Sequence, residues 1–185
     1  MKTVRRHAHV AALSGIILLA GSAPALADSS SSSTSVSAQA TAAVSKAQRL
    51  SKLKTLTKNS AASQNSWFTA LGQYRNHKPA ITKYRFDWST DYCSGSPNSL
   101  PGGYDLKFPC YRHDFGYRNY KKIAGHAAFR RDHKLRIDKA LLGDLNRVCG
   151  KRFWADPYTP AQRKKLKKAC YRSAKKYYNA VRALG

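Results

Sequence analysis

Five apolar residues, Val44, Ala47, Leu50, Leu53 and Leu56, recur every third position among Lys46, Arg49, Lys52 and Lys54. That spacing predicts a helix with one apolar stripe. From residue 60 the pattern stays mostly helical and predicts further helices over 61–74, from 106 or 108 to 122, over 127–149 and over 160–184. The last has the clearest start: Thr159 at the N-cap, Pro160 in the first helical position and Gln162 closing a capping box. In the 127–149 helix, Ile137, Leu141, Leu145 and Val148 step by four, four and three, a core stripe. Trp67, Phe68 and Leu71 also sit at helical spacing and are expected in the core. Residues 91–103 are rich in Ser, Gly, Pro and Asn, which predicts a loop and excludes a helix or a central strand. No internal repeat is visible and strand signals are few. The pattern therefore predicts a small all-α domain of about 120 to 135 residues.

The first 45 residues follow other rules. Lys2, Arg5 and Arg6 precede an apolar run from Val10 to Ala20, and Ala25-Leu26-Ala27 gives a small-x-small site, together predicting a secretory signal peptide over 1–27. A membrane anchor fits less well, because the run falls short of the roughly 20 residues a span requires. Residues 28–45 are Ser, Ala and Thr with almost no large apolar side chain and predict a flexible leader. The folded domain is expected over 46–185.

Composition sharpens the picture. The chain has 185 residues, 42% hydrophobic and 11% aromatic, too apolar to be disordered throughout. Its 34 Lys and Arg against 9 acids give a net charge of +25; removing the signal segment leaves 31 basic residues and +22. All nine acids are Asp, at 28, 87, 91, 105, 114, 132, 138, 144 and 156. The final helix carries Arg163, Lys164, Lys165, Lys167, Lys168, Arg172, Lys175 and Lys176. Such a run is either a solvated face or one that adsorbs to anionic membrane, with Tyr171 and Tyr178 suited to an interface.

Export changes how the four cysteines read. Outside a reducing compartment, Cys93, Cys110, Cys149 and Cys170 predict two disulfides. Three pairings exist, and the nearest-neighbour one, Cys93–Cys110 with Cys149–Cys170, is favoured. Each bridge would contribute on the order of 3 kcal/mol. A zinc site fails on spacing, since no C-x2-C or H-x3-H pair occurs.

The scarce Asp residues point to the chemistry. On a helix, Cys110, His113, Asp114 and Tyr117 share one face, and Asp138 lies beside the Leu141 and Leu145 seam, where a carboxylate is costly unless paired. If the two helices are antiparallel neighbours, Asp138 accepts from one ring nitrogen of His113 and leaves the other free as a general base. Tyr117 or Tyr120 is placed to hydrogen-bond Asp138. Asp114 and Asp91, with loop carbonyls and water, form an oxygen-rich set of the kind calcium takes. His77, His126 and His133 have no partner at ligand spacing and are expected on the surface or in loops.

The string from Asp87 through Trp88, Ser89, Thr90, Asp91 and Tyr92 to Cys93 is followed by Cys110-Tyr111-Arg112-His113-Asp114-Phe115-Gly116-Tyr117-Arg118-Asn119-Tyr120. Then come Arg136-Ile137-Asp138 and Arg147-Val148-Cys149. Together they resemble the prokaryotic-type secreted phospholipase A2 family, over roughly 130 residues from near Leu53 to the end. The resemblance implies a helical domain with two antiparallel long helices carrying the site, two disulfides paired as above, and calcium-dependent cleavage of the sn-2 acyl ester of glycerophospholipids at a membrane or micelle. It assigns His113 as general base, Asp138 as its orienting partner, and Asp91, the Tyr92 carbonyl and Asp114 as calcium ligands. The Gly-rich calcium loop of the animal secreted enzymes is absent, and Tyr92 stands where an aliphatic side chain is expected.

Two other classes compete. A secreted cationic ribonuclease would use His113 as base and the basic helices on phosphate, but no motif supplies its second catalytic group. A non-enzymatic membrane-disrupting protein would act without the dyad. The favoured reading expects a secreted monomer that touches membrane through its basic face and has no nucleic-acid partner.

Overall fold

The structure, a computed structural model, describes residues 43–151 and 157–184. The expected signal segment and the leader up to residue 42 lie outside the described residues. Helix α1 (Lys46–Leu56) begins at Ser45, whose hydroxyl accepts from the Gln48 N–H while the Gln48 side chain accepts from the Ser45 N–H. This reciprocal cap satisfies two otherwise unpaired donors. In α2 (Ala61–Arg75), capped by Ser60, Trp67 and Leu71 are buried but Phe68 is 39% exposed, against the expectation of a core position. Phe68 lies about 100° round the helix from Trp67 and rests edge-on against Phe108 at the surface.

A short helix, α3 (Pro79–Thr82), brings Ile81 into the core. The loop expected over 91–103 contains one short strand, β1 (Ser99–Leu100), which pairs antiparallel with β2 (Tyr104–Asp105) just beyond it, in register Ser99 to Asp105 and Leu100 to Tyr104. Gly102 and Gly103, at φ 92 and 78, supply the left-handed turn that joins them.

Helix α4 (Lys107–Ala124) ends at Gly125, φ 90. The next helix differs from the expected continuous one. Helix α5 (His126–Ala128) passes through a π-helical turn over Phe129–His133 before α6 (Lys134–Gly150). The wider turn absorbs one extra residue. Phe129 and Ile137, eight apart, thereby come two ordinary turns apart, and both are buried to 1% exposure. Local periodicity does not reveal such an insertion. Helix α7 (Pro160–Leu184) starts at Thr159, which exchanges hydrogen bonds with Gln162.

Contacts of His113 with Asp138 and of Arg112 with Asp144 set α4 and α6 antiparallel. Helix α7 returns antiparallel to α6, with the Cys149–Cys170 disulfide at one end and Lys134 against Val181 at the other. The Cys93–Cys110 disulfide pins the loop to the first turn of α4. One core gathers Leu53, Leu56, Trp67, Trp88, Phe115 and Ile137. The other gathers Tyr104, Leu106, Leu141, Leu145, Ala174 and the cystines. The domain is all-α but for the small hairpin and is stapled by two disulfides; α4 and α6 contribute to both cores. Among the described residues no helix is long and apolar enough to cross a membrane.

Candidate active site

Segment 87–93 is tied to α4 before any chemistry begins. Asn119, wholly buried, accepts from the Asp87 N–H and donates to its carbonyl, and the Tyr111 hydroxyl donates to the Trp88 carbonyl at 2.6 Å. The Thr90 hydroxyl donates to Asp114 Oδ2 at 2.7 Å, and the Asp91 N–H reaches the same oxygen at 3.2 Å. These bonds and the Cys93–Cys110 bridge hold Asp91 and Tyr92 over the helix face that carries His113 and Asp114.

His113 Nε2 stands 2.9 Å from Asp138 Oδ1, and Asp138 is fully buried. Burial raises the Asp138 carboxyl, but hydrogen bonds from His113, Tyr117 and Arg182 outweigh it and hold the group at about 2. It is therefore a carboxylate, which can only accept. Nε2 consequently carries the proton, and in the neutral ring Nδ1 is the acceptor. No described residue bonds Nδ1, and His113 lines a cleft of about 250 Å³. Tyr117, rather than Tyr120, bonds the dyad: its hydroxyl donates to Asp138 Oδ1 at 2.5 Å. Tyr120 instead stacks on His133. His133, expected at the surface or in a loop, is thus half-buried in the π-helical turn.

The sequence reading missed the other half of the Asp138 environment. Lys134 Nζ reaches Oδ2 at 3.1 Å and Arg182 Nη1 reaches it at 3.0 Å. The four-residue step from Lys134 to Asp138 was a readable pairing signal. Arg182 is 44 residues away, and no local pattern marks it.

Asp114 has no ion pair among the described residues. Burial pushes its carboxyl up and the charge of Asp91 adds to that, against the hydrogen bond from Thr90. Two adjoining carboxylates, one half-buried and without a cationic partner, suit a hard cation. Asp91 is held below the usual carboxylate range by the Ser94 hydroxyl, with Arg118 contributing. The Asp91–Arg118 pair at 2.6 Å is exposed, hence worth about 1 kcal/mol or less and easily exchanged. No three His, Cys, Asp or Glu side chains gather among the described residues, so a complete shell would need backbone oxygen and water. Tyr92 is at φ 57, uncommon for a bulky residue, and such strain concentrates at functional sites.

The chain has relatives among known proteins. A sequence profile of the prokaryotic phospholipase A2 family matches residues 63–185. A secretory phospholipase A2 of Arthroderma benhamiae is 35% identical over 117 residues, 63% of this chain and 72% of that protein. One of Beauveria bassiana is 35% identical over 78 residues, 38% of this chain and 39% of that protein. The match begins ten residues after Leu53, at the third residue of α2, and runs through α7, so α1 stands outside it. The chain that holds His113 against a buried Asp138 belongs to the prokaryotic phospholipase A2 family and is an ester hydrolase.

Proposed function

We propose that the protein is a secreted, calcium-dependent phospholipase A2 that hydrolyses the sn-2 acyl ester of glycerophospholipids. The observation that carries this reading is the 2.9 Å contact of His113 Nε2 with Asp138 Oδ1 beside an open cleft. Asp138 fixes the imidazole so that Nδ1 faces the reaction as an acceptor. Nδ1 takes a proton from a water whose oxygen attacks the sn-2 carbonyl carbon. The resulting imidazolium, stabilised by the ionised Asp138, returns the proton to the lysophospholipid oxygen as the ester bond breaks. Tyr117 holds Asp138 in place throughout. Calcium held by Asp91, Asp114 and the Tyr92 carbonyl would supply positive charge for the carbonyl oxygen as it becomes negative.

The domain runs over 46–185, preceded by a cleaved signal over 1–27 and a leader over 28–45; the names of the relatives support secretion. Lys164, Lys165, Lys167, Lys168, Arg172, Lys175 and Lys176 are exposed on α7 and give the enzyme a face for anionic membrane.

The test is fatty-acid release from phospholipid carrying a labelled sn-2 chain, with calcium or with chelator. Chelator should abolish release, and His113→Ala should abolish it with calcium present. Asp91→Asn should weaken calcium binding, whereas Asp138→Asn should lower turnover and leave calcium affinity nearly unchanged. Release that survives chelator would overturn the calcium role, and release that survives His113→Ala would overturn the dyad.

A further inference from the structure

One wall of the cleft is a helix end. Val181 and Leu184, in the last turn of α7, line it together with Tyr92 and Leu141. A last turn ordinarily frays, because its four terminal carbonyls have no partner within the helix. Here Lys134, 8% exposed, reaches back from the start of α6. Its ammonium donates to the Val181 carbonyl at 2.8 Å, to the Arg182 carbonyl at 3.3 Å and to Asp138 Oδ2 at 3.1 Å. An ammonium has three donors, and all three are used. Arg182 closes the loop from the other side, its Nη1 at 3.0 Å from the same Oδ2. The two oxygens of Asp138 are thereby divided: Oδ1 serves His113 and Tyr117, and Oδ2 serves two cations bound up with the last turn of α7.

We propose that Lys134 and Arg182 are positioning residues of the hydrolase. They form a clasp that locks the last turn of α7 as the cleft wall and, through the same carboxylate, fixes the aim of the His113 imidazole. This deepens the reading above and rests on it for its catalytic consequence. The middle of α7 is already fixed to α6 by Cys149–Cys170, so loss of the clasp frees only the C-terminal stretch beyond the disulfide. A carboxylate whose Oδ2 is held by one cation instead of two is less firmly fixed against rotation about its Cβ–Cγ bond, and a small misplacement of a catalytic group costs one or two powers of ten in rate. The loosened wall should also seat a long acyl chain less well than a short one.

The experiment compares the native protein with Arg182→Ala, Arg182→Lys and Lys134→Met, using short-chain and long-chain phosphatidylcholine. Arg182→Ala and Lys134→Met should lower kcat roughly tenfold to a hundredfold, raise KM more for the long-chain substrate, and leave calcium affinity unchanged. Arg182→Lys should recover most of the loss. The amides of 181–184 should exchange with solvent faster in both clasp variants, with exchange around Cys149 and Cys170 unaltered. If Lys134→Met does not fold, the exposed Arg182 pair of variants decides alone. The clasp is overturned if folded Arg182→Ala keeps native kcat, if Arg182→Lys is no better than Ala, or if exchange of the last turn is unaltered. The exchange measurement needs no substrate: a native protein inert toward phospholipid would remove the function proposed above, while protection lost only in the variants would still establish the clasp.

Discussion

Arg112 Nη1 lies 2.7 Å from Asp144 Oδ2, and the two side chains are 3% and 1% exposed. The same guanidinium donates to the Leu56 and Lys58 carbonyls and to the Ser63 hydroxyl. The residue immediately before His113 therefore anchors α4 to α6 and to the connection between α1 and α2. Truncating one member of a buried pair costs about 3–5 kcal/mol, because the other charge stays desolvated. Arg112→Met also takes the guanidinium donor from the Leu56 carbonyl, while the Lys58 carbonyl and the Ser63 hydroxyl keep other partners and Arg147 still partly compensates Asp144. We expect a loss of about 3 kcal/mol or more in urea unfolding, and a double variant Arg112→Met with Asp144→Leu that loses less than the sum of the singles. Strict additivity would show that the two residues do not act as a pair.

The long helices, the cap at Thr159 and the seam on α6 were legible because each is set by residues within one or two turns. Thr159 with Gln162 and the Ile137, Leu141, Leu145 series are of this kind. The π-helical turn before Lys134 was not legible, since one inserted residue changes a register that only packing of Phe129 and Ile137 reveals. At the site, His113 and Asp138 could be paired on paper from helix faces and the cost of a buried acid. Arg182 could not, because its partner is set by how α7 returns along α6. Arg112 stood in the motif string unread for the same reason: its partners, Asp144, Ser63 and the carbonyls at 56 and 58, are all distant in sequence.

Tyr117 should matter through the carboxylate rather than through substrate. Burial and the charge of Asp138 both raise its phenol, so it remains a donor at any working pH. A hydrogen bond to a charged acceptor is worth about 1.5–3 kcal/mol. Tyr117→Phe should lose about 2 kcal/mol of stability and lower kcat roughly threefold to tenfold, with KM and calcium affinity near native. A large rise in KM with kcat unchanged would instead make Tyr117 a substrate contact.

Acid stability should report on Asp138. Its carboxyl lies at about 2 in the fold against 3.8 as the reference value. A depressed carboxyl contributes stability that is fully present above the unfolded value and lost as pH falls through the folded one. The loss should span roughly pH 5 to pH 2 and amount to about 2 kcal/mol. Asp114 works in the opposite sense, because its carboxyl is raised in the fold. The native protein must therefore be compared with Asp138→Asn, which leaves Asp114 in place. The stability gap between them in urea should narrow by about 2 kcal/mol from pH 5 to pH 2; a constant gap would show that the Asp138 carboxyl is not depressed.

Gly116 governs how closely α4 and α6 approach between the two members of the dyad. A Cβ there would meet Ile137 Cγ2 at 3.0 Å and Cδ1 at 3.4 Å. Alanine would gain about 1 kcal/mol in helix propensity, but overpacking a full core costs about 1–3 kcal/mol. Ile137 is 1% exposed and has little room to yield, so the steric cost should win. Gly116→Ala should then lose about 1 kcal/mol of stability. It should lower kcat more than that implies, since the strain falls where His113 must meet Asp138. Ile137→Leu moves the branch away from Cβ at nearly constant volume and removes the closest contact. In that background Gly116→Ala should be neutral or stabilising, and part of the kcat should return. If the alanine costs the same in both backgrounds, the approach of the two helices at Ile137 is not what fixes the dyad distance.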